Sequence, residues 1–171
     1  PWDHRGKRSD EQLEVMRMLF EDSEPEYHGT FYQFEKVKFE PKPVQAPVPI
    51  WIGGATRVAF ERTARFGQAF HAAFQPVSTV VSEWAEVGAA CERQGRDPGE
   101  LSLSLRAYLD PNSAMDPALS VAGSNQQMAD MLGTMKDAGI NHVLLDPVAG
   151  GGVAGRLDAV RHFMEDVAPS V

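Results

Sequence analysis

The sequence predicts an α/β fold in which short parallel strands alternate with helices from Val48 to the end of the chain. Three observations carry this. Apolar runs at Val48–Ile52, Ala69–Phe74, Leu101–Leu109 and Ile140–Leu145 are too short for helices, and a segment with apolar residues at helical spacing follows each. Glycines fall at the junctions, at Gly53-Gly54, Gly67, Gly95 and Gly139. Strand–helix repeated in this way implies a parallel sheet with right-handed crossovers.

Taken in order, Ser9-Asp10-Glu11-Gln12 reads as a capping box, with Ser9 as N-cap and Gln12 three residues on. Leu13, Met16, Leu19 and Phe20 recur at helical spacing, so the first helix is expected from about Asp10 to Phe20, closed by Glu24-Pro25. Tyr27 to Tyr32, with aromatic and β-branched residues around Gly29, suggests a short hairpin or extended excursion. Pro41, Pro43, Pro47 and Pro49 exclude helix and predict an extended lead-in, because proline lacks the N–H and fixes φ.

Val48–Ile52 reads as a strand buried on both faces. Thr56 can cap the next helix, which carries Val58, Ala59, Ala64 and Phe66 and ends at Gly67. After the strand Ala69–Phe74, a long helix is expected from about Ser78 to Gln94, with Val81, Trp84, Val87 and Cys91 inward and Gly95 stopping it. Leu101, Leu103, Leu105, Ala107 and Leu109 alternate, which marks a strand that is half polar on its other face. Ser124 and Gln127 make a second capping box, and Met128, Met131, Leu132 and Met135 face the core of that helix. The strand Ile140–Leu145 leads through Gly150-Gly151-Gly152 to a last helix with Leu157, Val160, Met164 and Val167. The chain therefore divides into residues 1–47, a helix with a proline-rich lead-in, and residues 48–171, four βα units within a single partial domain. Four units are half of a β/α barrel, which needs about 250 residues. An open doubly wound sheet is the alternative, weakened by the absence of the dinucleotide fingerprint.

Composition narrows the function. Apolar residues make up 43% of the 171 and charged residues 23%, a globular balance. The net charge of −8 argues against a nucleic-acid partner, which needs clustered Lys and Arg. No apolar run approaches the roughly 18 residues of a membrane span, and no signal-peptide pattern opens the chain. Cys91 is the single cysteine, so no intrachain disulfide can form. It reads as a buried core thiol, and a reducing, cytoplasmic location is expected. The chain opens on Pro1 and in mid-phrase, which suggests a piece of a longer protein.

Three stretches in this order resemble the C-terminal half of the luciferase-like monooxygenase family. They are Arg8-Ser9-Asp10-Glu11 with Tyr27-His28-Gly29-x-Phe31-Tyr32; Pro41-Lys42-Pro43-Val44-Gln45-x-Pro47-x-Pro49-Ile50-Trp51-Ile52-Gly53-Gly54; and Ala122-Gly123-Ser124 with Asp137-Ala138-Gly139-Ile140. The resemblance implies the C-terminal half of a TIM (β/α)8 barrel, part of an oxidoreductase or monooxygenase that uses FMN or coenzyme F420 on a small-molecule substrate. It also implies that the loop Gly53, Gly54, Ala55, Thr56 and Arg57 lies beside the cofactor phosphate. The chemistry agrees, since glycines let backbone N–H groups approach an anion and a helix N-terminus favours one. Taken alone, Gly53-Gly54 is also a plain strand-to-helix turn. Gly150–Gly152 competes for the phosphate, or is a linker. One departure stands out: the family usually reads Gly-Asp-Gly-Trp where this chain has Gly67-Gln68-Ala69-Phe70.

No catalytic residue is assigned. His71, on a strand, is the candidate, against the plainer reading of a satisfied core histidine. His142 is a weaker one, and His4, His28 and His162 read as surface. No histidine pair has metal-ligand spacing, and no serine nucleophile elbow is present. The isolated chain is expected to be inactive. Its open strand edges imply self-association, or completion by an N-terminal half-barrel. Two alternatives stay open: a non-catalytic flavin-binding or interaction half-barrel, and a phosphate-binding barrel enzyme acting on sugar phosphates.

Overall fold

The computed structural model describes residues 2–171, which form two compact units, residues 2–50 and 51–171. In the first, helix α1 (Arg5–Glu21) precedes a two-stranded antiparallel hairpin of β1 (Tyr27–His28) and β2 (Gln33–Phe34). The hairpin is as expected. The capping box at Ser9 is not: α1 starts five residues before Asp10, and the Ser9 hydroxyl donates back to the Arg5 carbonyl at 2.8 Å. Gln12 instead donates to the Tyr32 hydroxyl at 2.5 Å. A serine bonded to the carbonyl four residues back is compatible with helix interior, which is why the motif misled.

The polar residue that matters there is Glu11, buried in α1. Its carboxylate accepts the backbone N–H groups of Thr30 (3.1 Å), Phe31 (2.8 Å) and Tyr32 (2.7 Å). A Cβ at Gly29 would collide with that carboxylate and with the Tyr27 ring, so the turn needs glycine. Lys42 closes the other end of α1 by donating to the carbonyls of Leu19 (2.7 Å) and Asp22 (2.5 Å), where a cation also suits the helix dipole. The proline run from 41 to 50 contains bends but no regular strand, in place of a simple extended lead-in.

The second unit is the alternating one. Strands β3 (Trp51–Gly53), β4 (Ala69–Ala73), β5 (Ser102–Asp110) and β7 (His142–Pro147) lie side by side in that order, all parallel. The short strand β6 (Ser120–Ala122), which the sequence reading missed, pairs in parallel with the last three residues of β5. The first strand begins later than Val48 because Pro47 and Pro49 cannot donate to a ladder. Helices α2 (Arg57–Phe66), α3 (Val77–Gln94), α4 (Asn125–Asp137) and α5 (Gly152–His162) follow β3, β4, β6 and β7.

Register explains the core. Phe70 pairs with Leu103, and Ala72 with Leu105 and through it with Val143. Phe70, Leu103, Leu105, Leu109 and Val121 of the sheet are fully buried with Val80, Val87, Cys91 and Met128 from the helical layer. Each such side chain contributes about 1.5–3 kcal/mol of transfer free energy.

The ends of the helices follow their caps. Ser124 accepts from the Gln127 N–H at 3.3 Å while its own N–H donates to Gln127 Oε1 at 2.8 Å, the expected capping box. Gly95 takes φ +69 and stops α3. Gly67 ends α2 in an extended conformation, and a Cβ there would lie 3.0 Å from the Thr63 carbonyl oxygen and 3.3 Å from Ile52. Arg96 donates to the Ala64 carbonyl at 2.9 Å, satisfying one of the last acceptors of α2.

Two inward assignments are corrected. Val81 is exposed and Val80 is buried in its place, because Val80 shares the inward face of α3 with Val87 and Cys91, seven and eleven residues on. Met131 is only half-buried. Leu157, Val160 and Met164 are exposed, and of that set only Val167 is buried.

Candidate functional site

The alternation of β5 that buries Leu103, Leu105 and Leu109 beneath helices turns Ser104, Arg106 and Tyr108 to the opposite face. Register carries that face across the sheet. Gly53, His71, Ser104 and His142 lie in one row across β3, β4, β5 and β7.

At one end of the row the chain leaves β3 through Gly53-Gly54 and enters α2. A Cβ at Gly53 would stand 3.1 Å from the His71 carbonyl oxygen, so β3 and β4 approach closely there. Gly54 has φ +119, which L side chains rarely adopt, and a Cβ would meet that of Ala59 at 3.2 Å. Thr56 caps α2 as expected: its side chain accepts the Ala59 N–H at 3.3 Å and its carbonyl accepts the Phe60 N–H at 3.0 Å. The hydroxyl hydrogen of Thr56 remains free to donate. Residues 53 to 58 are all exposed, so this helix end meets solvent. The Arg57 side chain is 81% exposed and 3.8 Å from Glu61, which binds Arg93 more closely at 2.7 Å.

At the centre, Ser104 is fully buried and bonded on both sides. Its Oγ lies 2.9 Å from His71 Nδ1 and 3.0 Å from His142 Nδ1. The Trp51 ring meets His142 edge-on at 4.6 Å between centroids and His71 at 6.0 Å. Burial holds the His71 imidazole below the usual histidine range, and the nearby His142 and Arg106 add to this. These effects favour the neutral form of His71. The sequence reading singled out His71 and His142 but missed Ser104 and Trp51. The alternation of Leu101–Leu109 held the signal for Ser104, since it sets the serine opposite the leucines.

Towards the C-terminal ends of the strands, Arg106 donates to Asp146 Oδ2 through Nε at 2.9 Å and Nη2 at 2.5 Å. Its guanidinium lies over the Phe74 ring, which stacks on Tyr108 at 4.3 Å. Phe74 has φ +52, a strained conformation for an aromatic residue, fixed by its N–H bond to the Arg106 carbonyl at 2.8 Å. Arg106, Tyr108, Asp146 and Arg156 line a shallow cavity here. Gly151 is the N-cap of α5 with φ +86, and Gly152 is the first residue of that helix. Among the described residues no group of three or more His, Cys, Asp or Glu could hold a metal, and no helix is long and apolar enough to cross a membrane.

The family described as luciferase-like monooxygenase matches residues 1–129. An uncharacterized protein of Mycobacterium tuberculosis is 41% identical over 76 residues, which is 44% of this chain and 26% of that protein. The FMNH2-dependent dimethylsulfone monooxygenase of Pseudomonas putida is 27% identical over 134 residues, 76% of this chain and 36% of that enzyme. Among solved structures, an F420-dependent secondary alcohol dehydrogenase in complex with an F420–acetone adduct superposes with a TM-score of 0.80 at 19% identity, over 98% of this chain and 62% of that one. The chain thus covers less than two thirds of the length of each of these relatives.

Proposed function

The chain belongs to the luciferase-like monooxygenase family, and from that premise we propose that it forms the C-terminal half of a (β/α)8 barrel in a flavin- or F420-dependent oxidoreductase. Its part is to hold the cofactor phosphate at Gly53–Arg57. The carrying observation is the turn itself: two residues without Cβ, one of them at φ +119, deliver an exposed backbone to the N-terminus of α2. The residues fit a phosphate-bearing cofactor. Backbone N–H groups of the loop, the Thr56 hydroxyl and the first turn of α2 would face the anion, with Arg57 adding a screened charge. A bound flavin or deazaflavin would supply hydride transfer or oxygen activation, while the barrel supplies position and electrostatics.

FMN and F420 both remain in the proposal, since the relatives above include users of each. The substrate is a small molecule, and the parallel strands leave edges for a first half-barrel, or a second copy, to complete. The isolated chain would then lack one wall of the site and be inactive.

The test, in the full-length protein, is a titration of FMN and of F420 against wild type and Gly54→Val, with circular dichroism and thermal unfolding as folding controls. A β-branched side chain at φ +119 is strained, so Thr56→Ala and Arg57→Ala serve as milder companions. Losing one hydrogen bond to a charged group costs about 1.5–3 kcal/mol, or roughly ten- to hundredfold in affinity. Unchanged affinity in a folded Gly54→Val would move the phosphate to Gly150–Gly152.

A further inference from the structure

We propose that His71, Ser104 and His142 form a one-proton relay that carries a proton between His142 Nε2, on the open face of the sheet, and a ligand atom beside Gly53. The ligand end is an oxygen or nitrogen that gains or loses a proton, and assigning it to the oxidoreductase's substrate or cofactor rests on the reading above. The relay itself rests on geometry alone.

The argument starts from proton counting. Ser104 Oγ is within hydrogen-bond distance of two imidazole Nδ1 atoms, at 2.9 and 3.0 Å. A hydroxyl has one proton, so Ser104 donates to one Nδ1 and accepts from the other. With both rings neutral, one is the Nδ1–H tautomer with a bare Nε2, and the other is the Nε2–H tautomer. No other group among the described residues bonds either Nε2. The pair therefore offers one acceptor and one donor, and the serine enforces opposite choices.

The two ends differ in exposure. His142 is exposed and His71 is half-buried, in register with Gly53 at the start of the Gly53–Arg57 loop. A proton taken up at His142 Nε2 is balanced as follows. The His142 Nδ1 proton passes to Ser104 Oγ, the Ser104 proton passes to His71 Nδ1, and the His71 Nε2 proton leaves to the ligand. No bond other than N–H and O–H changes, and no electron is transferred. The reverse order serves proton removal.

The surroundings suit a neutral His71 ring. Arg106 on β5 repels added positive charge, and its partner Asp146 on β7 is engaged by the guanidinium, without bonding either imidazole. Trp51 on β3 covers His142 with an apolar ring. A serine buried merely to fill the sheet would need neither histidine, and one bond would satisfy it.

The test is long-range 1H–15N correlation spectroscopy on protein labelled in histidine, near neutral pH, for wild type, Ser104→Ala and Ser104→Thr. The expected wild-type result is one ring of the pair as Nδ1–H and the other as Nε2–H. Ser104→Ala should abolish the Nδ1–H form, and Ser104→Thr should restore it. Both rings as the same neutral tautomer in wild type, or a pattern indifferent to Ser104→Ala, overturns the relay. Alanine removes one buried oxygen, so amide dispersion should stay native. Addition of FMN or of F420 tests the ligand end: a shift of the His71 Nε2 resonance on binding supports it, and binding without any shift overturns it. Opposed tautomers with no binding of either cofactor would uphold the relay and count against the cofactor reading.

Discussion

Gly53 of β3 stands beside His71 of β4 so closely that any Cβ at Gly53 would lie 3.1 Å from the His71 carbonyl oxygen. The loop that opens toward α2 and the histidine at the head of the hydrogen-bonded row are thus parts of one arrangement. Gly53→Ala should force β3 and β4 apart by a few tenths of an ångström. The expected cost is about 1 kcal/mol, from a strained contact between backbones. Urea denaturation measures it, and the His71 ring resonances should shift in the same variant. A silent His71 spectrum would show that the close approach has no bearing on the histidine.

Arg57→Ala should weaken binding of FMN or F420 by less than about fivefold, a fraction of the effect of Gly54→Val. Its guanidinium is 81% exposed and already faces Glu61 at 3.8 Å, so its charge is screened by water and partner alike. Titration at low and high salt checks this. A larger loss that disappears in salt would mark Arg57 as a direct phosphate ligand.

Glu11→Gln should destabilise the first unit by roughly 1.5–3 kcal/mol, the range for hydrogen bonds to a charged group. The carboxylate accepts three backbone N–H groups of the hairpin turn, and an amide offers one oxygen in place of two. Amide exchange at Thr30, Phe31 and Tyr32 reads the effect locally. Native protection of those amides in the variant would refute the assignment.

Stability should fall as pH drops below the ordinary histidine range, in part through His71. Its folded pKa is depressed, chiefly by burial, with His142 and Arg106 adding to it. Below about pH 6.5 the unfolded chain therefore binds more protons at this position than the folded one, and stability rises with pH there. The contribution is complete above that value and lost towards the folded pKa. His71→Gln should flatten this part of the profile, and His142→Gln should move the His71 titration upward. Urea midpoints across the window, with the 15N titration of His71, measure both.

The sequence by itself determined the order of the parallel strands β3, β4, β5 and β7 and of the helices that follow them, β6 apart. The leucine alternation of Leu101–Leu109, the Ser124–Gln127 capping box and Gly95 at φ +69 act within a few residues of themselves, and local rules read them. Thr56 at the head of α2 belongs with them. Tertiary structure decided the rest. Ser9 and Gln12 have the spacing of a cap yet lie inside α1, where Tyr32 takes the Gln12 side chain and the buried Glu11 holds a turn 19 to 21 residues away. Strand β6 is too short to carry a period, and only its pairing with β5 identifies it. Ser104 looks like one more polar residue of an alternating strand. Its place between His71 and His142 requires register across β4, β5 and β7, residues 33 and 38 positions apart. Parallel strands are joined through long crossover connections, so paired residues lie far apart in sequence and no local pattern in the chain encodes which side chains that register brings together.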